Sequence, residues 1–499
     1  MRKAKSLVGA KAVFSVCFAL AMPVVAAKAG PWAEVGDASL RSDILILASA
    51  GVIDDVTMQW PIPWASIMER LERGNALADQ PAYVRAAADR VLRKAQVQEK
   101  LHRKTVTATV DAASEPGLVQ GFAAQGQSSL SGNVAFGYMW NTTAINLSVG
   151  GRSVFGTDRQ SIALDDTYVA QRIGGAVIYA GYKTHWWGPG WFSAMSLSNN
   201  ARPMPQIGIS RAGTEAFETP WLSWLGPWQA EVFVGLLDGP RVAENTDYVG
   251  ARVAFNPIPH LEIGLARTTM LCGSGHECSP FKDYFSLLND NKTVNNSNDQ
   301  ANIDIRYSNS YQDFAYEAYV QLMNDDTNPL QHSGTSHLFG VSGWLPVSGG
   351  TGRVTLEYAD SVATYDLWGS GTMSGFSYNN GRYADGMRYR GRSLGFSLDS
   401  NSRLLSLQTS YQRDDGTSYN FTYHHAEIDR PALSNTTNAY NVVSTGPVII
   451  NMAESRTDLP LKWRDFDVQL SLIGRVQDDR PRPDHGWLAS AEARLSLKL

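Results

Sequence analysis

Every second residue is apolar where the chain ends, and no other feature limits the possible fold so tightly. Ala493, Leu495, Leu497 and Leu499 alternate with Arg494, Ser496 and Lys498, and the stretch from Asp465 reads Asp-Phe-Asp-Val-Gln-Leu-Ser-Leu. Successive side chains of a strand point to opposite faces, so Val468, Leu470 and Leu472 share one face and Asp467, Gln469 and Ser471 the other. One such strand suits any half-buried sheet. The pattern recurs along most of the chain, however, behind a secretory leader. Together these features predict an all-β transmembrane barrel of the outer-membrane kind, apolar toward lipid and polar toward the lumen.

The leader has a basic start (Arg2, Lys3, Lys5, Lys11), an apolar core from Ala12 to Val25, and an Ala27-Lys28-Ala29 cleavage site before Gly30. Its core is short of the roughly 20 residues a spanning helix needs. Cys17 lies inside that core, which argues against a lipoprotein. Residues 1–29 are therefore expected to be a signal peptide.

Beyond Gly30 no apolar run reaches spanning length, which excludes a helical membrane protein. A composition of 43 % hydrophobic and 18 % charged residues leaves a barrel open, because alternating strands average out in any hydropathy window. Removing Met1–Ala29 takes away five basic residues and no acidic one, moving the formal charge from −5 to −10. Such a chain does not attract nucleic acid through bulk charge. Cys272 and Cys278 are then the only cysteines left, and in an oxidising compartment a local disulfide is expected. A zinc site using His276 is the weaker alternative, lacking a fourth ligand.

From Ser39 a helical pattern places Leu40, Ile44, Leu47 and Ala48 on one face until Gly51. Pro63 opens a second, with Ile67, Met68 and Leu71. Pro81 opens a third, with Val84, Ala88, Val91, Leu92 and Ala95 beside Arg85, Arg90, Arg93 and Lys94. Residues 30–104 are thus expected to form an N-terminal periplasmic α-helical bundle that caps or plugs a barrel over residues 105–499.

Between 16 and 18 candidate strands follow, among them Val134-Phe136-Tyr138-Trp140, Ile303-Ile305-Tyr307, Leu394-Phe396-Leu398 and Phe421-Tyr423. An even total is expected when both chain ends lie in the periplasm. A soluble β-sandwich shows similar alternation, but it needs neither so many strands nor so many Tyr and Trp at strand ends. Asn256–His260 and Asp399–Ser402 read as tight turns. Leu271–Gln300, Ser361–Arg388 and Asp429–Arg464 read as long external loops, where function tends to sit.

No motif carries catalysis, and no cofactor or metal site is expected. His424-His425 face opposite ways on a strand and cannot easily share a ligand. Arg388, Arg390 and Arg392 share one face if they lie on a strand. Lipid excludes them at about 2–4 kcal/mol per charge. They are expected to face the lumen, either as a structural salt-bridge network or along a ligand path, with Leu394, Phe396 and Leu398 facing lipid after a register break near Gly391 or with the arginine ladder lying above the membrane plane.

Six tryptophans crowd His185-Trp186-Trp187-Gly188-Pro189-Gly190-Trp191 and Trp221-Leu222-Ser223-Trp224-Leu225-Gly226-Pro227-Trp228. Gly and Pro break regular structure there, which suits a segment folded into or across the barrel mouth. Aromatic faces beside Asn and Arg donors suit sugar rings, and they equally suit packing and interface anchoring. Trp186, Trp187 and Trp191 are carried forward as candidate polysaccharide contacts. So are Arg388, Arg390 and four residues of the Ser361–Arg388 loop, Trp368, Tyr378, Arg382 and Tyr383.

Trp-Trp-Gly-Pro-Gly at 186–190, Arg-Pro-Met at 202–204 and the tryptophan run at 221–228 resemble those of the capsule assembly Wzi family. Leu40-Arg41-Ser42-Asp43, Gly51-Val52-Ile53, Trp60-Pro61-Ile62 and the Gly386–Arg392 run are similar too. The resemblance implies an 18-stranded outer-membrane lectin with a periplasmic helical bundle and extracellular loops. Such a protein binds exported capsular or exopolysaccharide and promotes its assembly at the surface. A non-enzymatic monomer in outer-membrane lipid is the expectation, with a porin or sugar channel as the rival.

Overall fold

The computed structural model describes residues 31–72, 76–98, 104–153, 160–278, 297–325, 334–366, 371–429, 440–464, 466–480 and 487–498. The leader and Trp368 lie outside the described residues. Eighteen strands form one closed antiparallel barrel, with Ile162–Ala163 and Tyr168–Ile173 sharing a single place beside Thr143–Arg152. Closure is made by Trp487–Lys498 pairing with Lys104–Ala113, Leu495 opposite Val110. No strand edge is left open, which lipid would not tolerate.

The alternation read from the sequence sorts the wall into two faces. On Asn298–Tyr311, Asn302, Asp304, Arg306 and Ser308 are buried inward, while Ile305 and Tyr307 are exposed outward. On Ser418–Ile428, Thr422 and His424 face in, and Phe421 and Tyr423 face out. Leu147, Val149, Val232, Leu356 and Leu407 continue the apolar outer band.

Turns at one end are short, as at His260 and at Gln312–Asp313; those at the other are long. The connection over residues 212–227 is the exception, a longer excursion at the short-turn end. It does not fold into the barrel mouth, as its tryptophans suggested. Trp221 and Trp224 lie on its outer surface, 72 % and 60 % exposed.

Three helices occupy the short-turn end: α1 (Ala38–Ser49), α2 (Trp64–Leu71) and α3 (Ala82–Gln98). Asp37 caps α1 by accepting from Leu40 N at 2.9 Å. The single apolar stripe expected of α1 is not its only buried face: Leu40 through Ser49 are all buried. Its polar side is used internally, Asp43 pairing with Arg90 of α3 at 2.7 Å and Ser42 accepting from Trp344 Nε1 at 2.9 Å. Arg90 and Arg93 also reach Asp414 in a short turn.

Three readings of the wall need correction. Leu394, Phe396 and Leu398 do not face lipid: they are fully buried in a long connection folded into the lumen. Asp399–Ser402 is the buried end of that connection rather than a tight strand turn. The stretch Asp429–Arg464 contains a 16-residue strand, Val448–Trp463, whose alternation is masked by apolar Ile450 and Met452 facing inward and Asn451, Ser455 and Thr457 in the outward register.

Ile305→Arg places a charge near mid-height on the outer face. It is expected to cost about 2–4 kcal/mol, read as a lower urea midpoint for barrel folding in lipid vesicles. Ile305→Leu should leave that midpoint unchanged.

Candidate functional site

The lumen is filled from both ends. From the long-connection end, residues 114–129, 183–204 and 371–402 fold inward; the first two meet Arg41 of α1, and the third packs on 183–204, where Ser198 Oγ donates to Gly395 O at 2.6 Å and Asn200 Nδ2 to Ser393 O at 2.8 Å. Trp186-Trp187 pairs in antiparallel register with Gln59-Trp60, and Gly188 N donates to Met58 O at 2.9 Å. Phe122 packs edge-on against Trp60 and Trp186, at 4.9 and 5.6 Å between ring centroids.

Arg41 joins these segments. Its guanidinium donates to the carbonyls of Pro189 and Gly190 at 2.5 and 2.8 Å and lies over the rings of Phe122 and Trp191, 4.5 Å from each. Burial pulls this group down to about 10, so it stays charged near neutral pH. A side chain at Gly190 would put its Cβ 2.1 Å from Ser193 O, so only glycine allows the turn that presents these carbonyls.

The barrel wall supplies matching acceptors. Glu357 receives the backbone N–H groups of Trp191 and Phe192 at 2.5 and 3.1 Å, and Glu317 receives Trp191 Nε1 at 3.0 Å. Glu262 accepts from Thr57 N and Met58 N, both at 2.9 Å, and pairs with Arg306 at 3.2 Å. Lys183 pairs with Glu231 at 2.7 Å. These inward charges are held in bonds to the segments that fill the lumen.

Trp186, Trp187 and Trp191 are therefore core and present no face to a sugar. Their indoles fill the space between wall and helices. Tyr378 and Tyr383 are also fully buried. The Tyr378 hydroxyl donates to Met195 O, and that of Tyr383 donates to Cys272 O at 3.0 Å. The loop expected to display them uses them to seat itself in the mouth. Cys272 and Cys278 are joined by a disulfide, and His276 stacks on Tyr383 with centroids 4.1 Å apart.

The arginine triplet is divided. Arg388 is buried and gives its donors to Asp399 at 2.9 Å and to the carbonyls of Tyr378, Asp385 and Tyr440. The expected ladder on one strand face is instead a hairpin, with Arg388-Tyr389 paired to Arg392-Ser393. Arg390 and Gly391 form its tip, both at positive φ, 50° and 78°. Arg390 and Arg392 are half-buried, and Arg382 is exposed. Arg390 pairs with Asp238 at 2.9 Å.

Sequence reasoning passed over Arg152 and placed Arg202 in the Arg-Pro-Met motif and among the Asn and Arg donors beside the tryptophans; Arg152 Nε donates to Gln160 O at 3.1 Å, and Arg202 pairs with Asp165 at 2.9 Å. Arg152 ends an inward-alternating strand, which was a usable signal. His424 bonds Ser406 at 2.7 Å, but both are buried and Phe192 packs edge-on against the imidazole. His425 faces the other way, to Asn451.

The family model described as "Capsule assembly protein Wzi" matches residues 93–473. The "Uncharacterized 55.8 kDa protein in cps region" of Klebsiella pneumoniae is 25 % identical over 316 residues, 62 % of this chain and 61 % of that protein. The match thus spans about three fifths of that relative's length. The solved structure of Escherichia coli Wzi is described as an outer-membrane protein involved in group 1 capsule assembly and a carbohydrate-binding β-barrel. It superposes with a TM-score of 0.79 at 19 % identity, covering 93 % of this chain and 98 % of that one. At that identity the likeness shows the fold.

Arg41→Met keeps the stem between the two rings and strands two buried carbonyls. The change is expected to cost about 2–4 kcal/mol. Protease should cut within residues 31–98 earlier than in the unaltered chain while the barrel stays folded by gel mobility. Unchanged protease resistance would show that the clamp holds nothing.

Proposed function

The chain belongs to the capsule assembly Wzi family, and from that premise we propose that it is a non-enzymatic outer-membrane lectin. It binds exported capsular or exopolysaccharide at the cell surface and promotes its assembly and attachment there. The observation that carries the reading is the filled lumen. With helices at one end and three in-folded connections at the other, binding is confined to the outer mouth. In such barrels the short turns face the periplasm and the long connections face outward. The helices then lie on the periplasmic side, and the long connections meet the polymer outside.

A repeating polymer needs only weak contacts at each site, because many sites engaged along one chain raise the effective concentration of the next. A monomeric barrel at high density in the membrane suffices for retention. The rival reading, a porin or sugar channel, requires a continuous aqueous path. The Arg41 clamp and the buried Trp186, Trp187 and Trp191 stand across that path.

The purified full chain in neutral detergent should be retained on immobilised polysaccharide from its own host and released by the same polymer in solution. In planar bilayers it should carry no large steady current. A stable open conductance without polymer binding would replace the lectin reading with the channel.

A further inference from the structure

We infer that the excursion over residues 212–227 is an interfacial foot, which sets Trp221 and Trp224 among the phospholipid headgroups of the periplasmic leaflet. The foot gives the barrel a lipid contact outside its strands and owes nothing to polysaccharide binding.

The wall carries its apolar outer face down to this excursion. Trp228 begins the strand Trp228–Leu237 in the outward register of Val232, and Phe255 lies directly opposite it on Thr246–Ile258. Phe217 stacks on Trp228 with ring centroids 4.5 Å apart, and Trp224 packs edge-on against Phe255 at 6.4 Å. The aromatic surface of the excursion therefore continues the lipid-facing band at its short-turn rim, which is the periplasmic one. That continuity identifies the occupant: the lipid that covers Val232 and Ile209 on the wall extends over Trp224.

The segment is built to hold this posture. Leu222 N and Ser223 N donate to Thr219 O at 3.0 and 2.9 Å, and Gly226 N donates to Ser223 O at 3.1 Å, which winds residues 219–226 into tight helical turns. A spacing of three puts Trp221 and Trp224 on one face of such turns. Gly226, at φ 63°, lies so near the wall that a Cβ would meet Asn256 O at 2.0 Å. Asn256 N donates to Pro227 O at 2.8 Å, and Trp228 N to Thr214 O at 2.9 Å. On its other side Thr214 Oγ1 donates to Asp54 at 2.9 Å, where Arg70 of α2 also pairs at 2.7 Å. Wall and helical unit thus brace the foot between them. Its two leading indoles stay exposed although the backbone carrying them is fixed.

Composition selects the kind of surface. Residues 212–228 hold two glutamates and no Lys or Arg, so charge does not draw the segment to an anionic surface. Indole suits the headgroup layer of a neutral phospholipid, its ring apolar and its N–H a donor to phosphate or ester oxygens.

The full-length barrel is reconstituted in vesicles of dioleoylphosphatidylcholine with a nitroxide on one introduced cysteine. Cys272 and Cys278 are joined to each other and leave the label to the new site. Ser223→Cys, exposed between the indoles, is the test position; Val232→Cys is the lipid reference and Ala78→Cys the aqueous one. Power saturation with oxygen and a nickel chelate reads the depth of each. The label at 223 should lie between the references, shielded from the chelate relative to 78. Its depth should hold as salt shortens the screening length from about 10 Å to about 3 Å, because the contact is apolar. Trp221→Ser with Trp224→Ser should shift the label at 223 toward the aqueous reference, whereas the corresponding pair of Tyr substitutions should keep its depth.

A label at 223 as open to the chelate as that at 78 overturns the proposal and leaves the indoles to a soluble periplasmic partner. Dipolar broadening between labels, removed by diluting with unlabelled barrel, overturns it in favour of a second copy. A depth lost in high salt overturns an anchor made of indoles. So does a depth that the Ser pair leaves unchanged, since the strands alone would then hold the segment at that level. The label at 232, read in the same variants, shows in each case that the barrel has inserted.

Discussion

One arginine holds together parts of the molecule that share no sequence neighbourhood. Arg41 is carried on α1 into the barrel, where it bonds the carbonyls of Pro189 and Gly190 and is sandwiched by Phe122 and Trp191. A buried guanidinium costs several kcal/mol in lost hydration. Two short carbonyl bonds and two aromatic faces offset that cost here. The helix, the 114–129 connection and the tryptophan connection are thus fixed relative to one another by a single side chain. The wall adds to this, since Glu357, Glu317 and Glu262 accept N–H groups from the segments that fill the lumen.

An eighteen-stranded wall encloses more space than its own side chains can fill. The usual outcomes are an aqueous channel or a plug. This chain takes the second course with polar bonds at the wall and aromatic packing at the centre. Inward Asp, Glu and Arg, which a porin would leave in water, are here desolvated and paired. Arg252 meets Asp304 at 2.5 Å, and Arg306 serves both Glu262 and Glu317. A buried pair of this kind contributes little net stability against an apolar substitute. Breaking it leaves a buried charge uncompensated, so it specifies where the filling segments must sit.

This explains which parts of the fold were legible. The outer face of the wall obeys a period of two because lipid tolerates few exceptions, so Ile303-Ile305-Tyr307 and Phe421-Tyr423 could be read directly. Val448–Trp463 could not, because apolar Ile450 and Met452 face inward while Asn451, Ser455 and Thr457 share the outward register of Ile449, so the alternation thins out. Leu394-Phe396-Leu398 was misread for the opposite reason. Inside the barrel every face is buried, and an apolar residue at every second position need not mark a lipid-facing strand. The helical stripe of α1 misled in the same way, since Arg41, Ser42 and Asp43 on its polar side are as buried as its leucines. For the tryptophans the residues left two roles open, and the fold uses the packing one at 186, 187 and 191 and surface exposure at 221 and 224.

The triplet Arg388, Arg390 and Arg392 shows why the mouth was the least legible part. Spacing by two gives the three residues one role only if the backbone between them is extended. A turn at Arg390-Gly391 breaks that condition and sends each residue to a different environment. Arg388 goes inward, where its bonds to Asp399 and three carbonyls make it a clamp of the loop interior. Arg390 is carried to the tip, and Arg392 returns along the second arm toward Asn200 and Gln127. Residue type and spacing are the same for all three, so neither can assign the role. What assigns it is the sign of φ at two positions, in a loop that the buried Tyr378 and Tyr383 seat in the mouth. The chemistry of the mouth is in this sense a consequence of the packing beneath it.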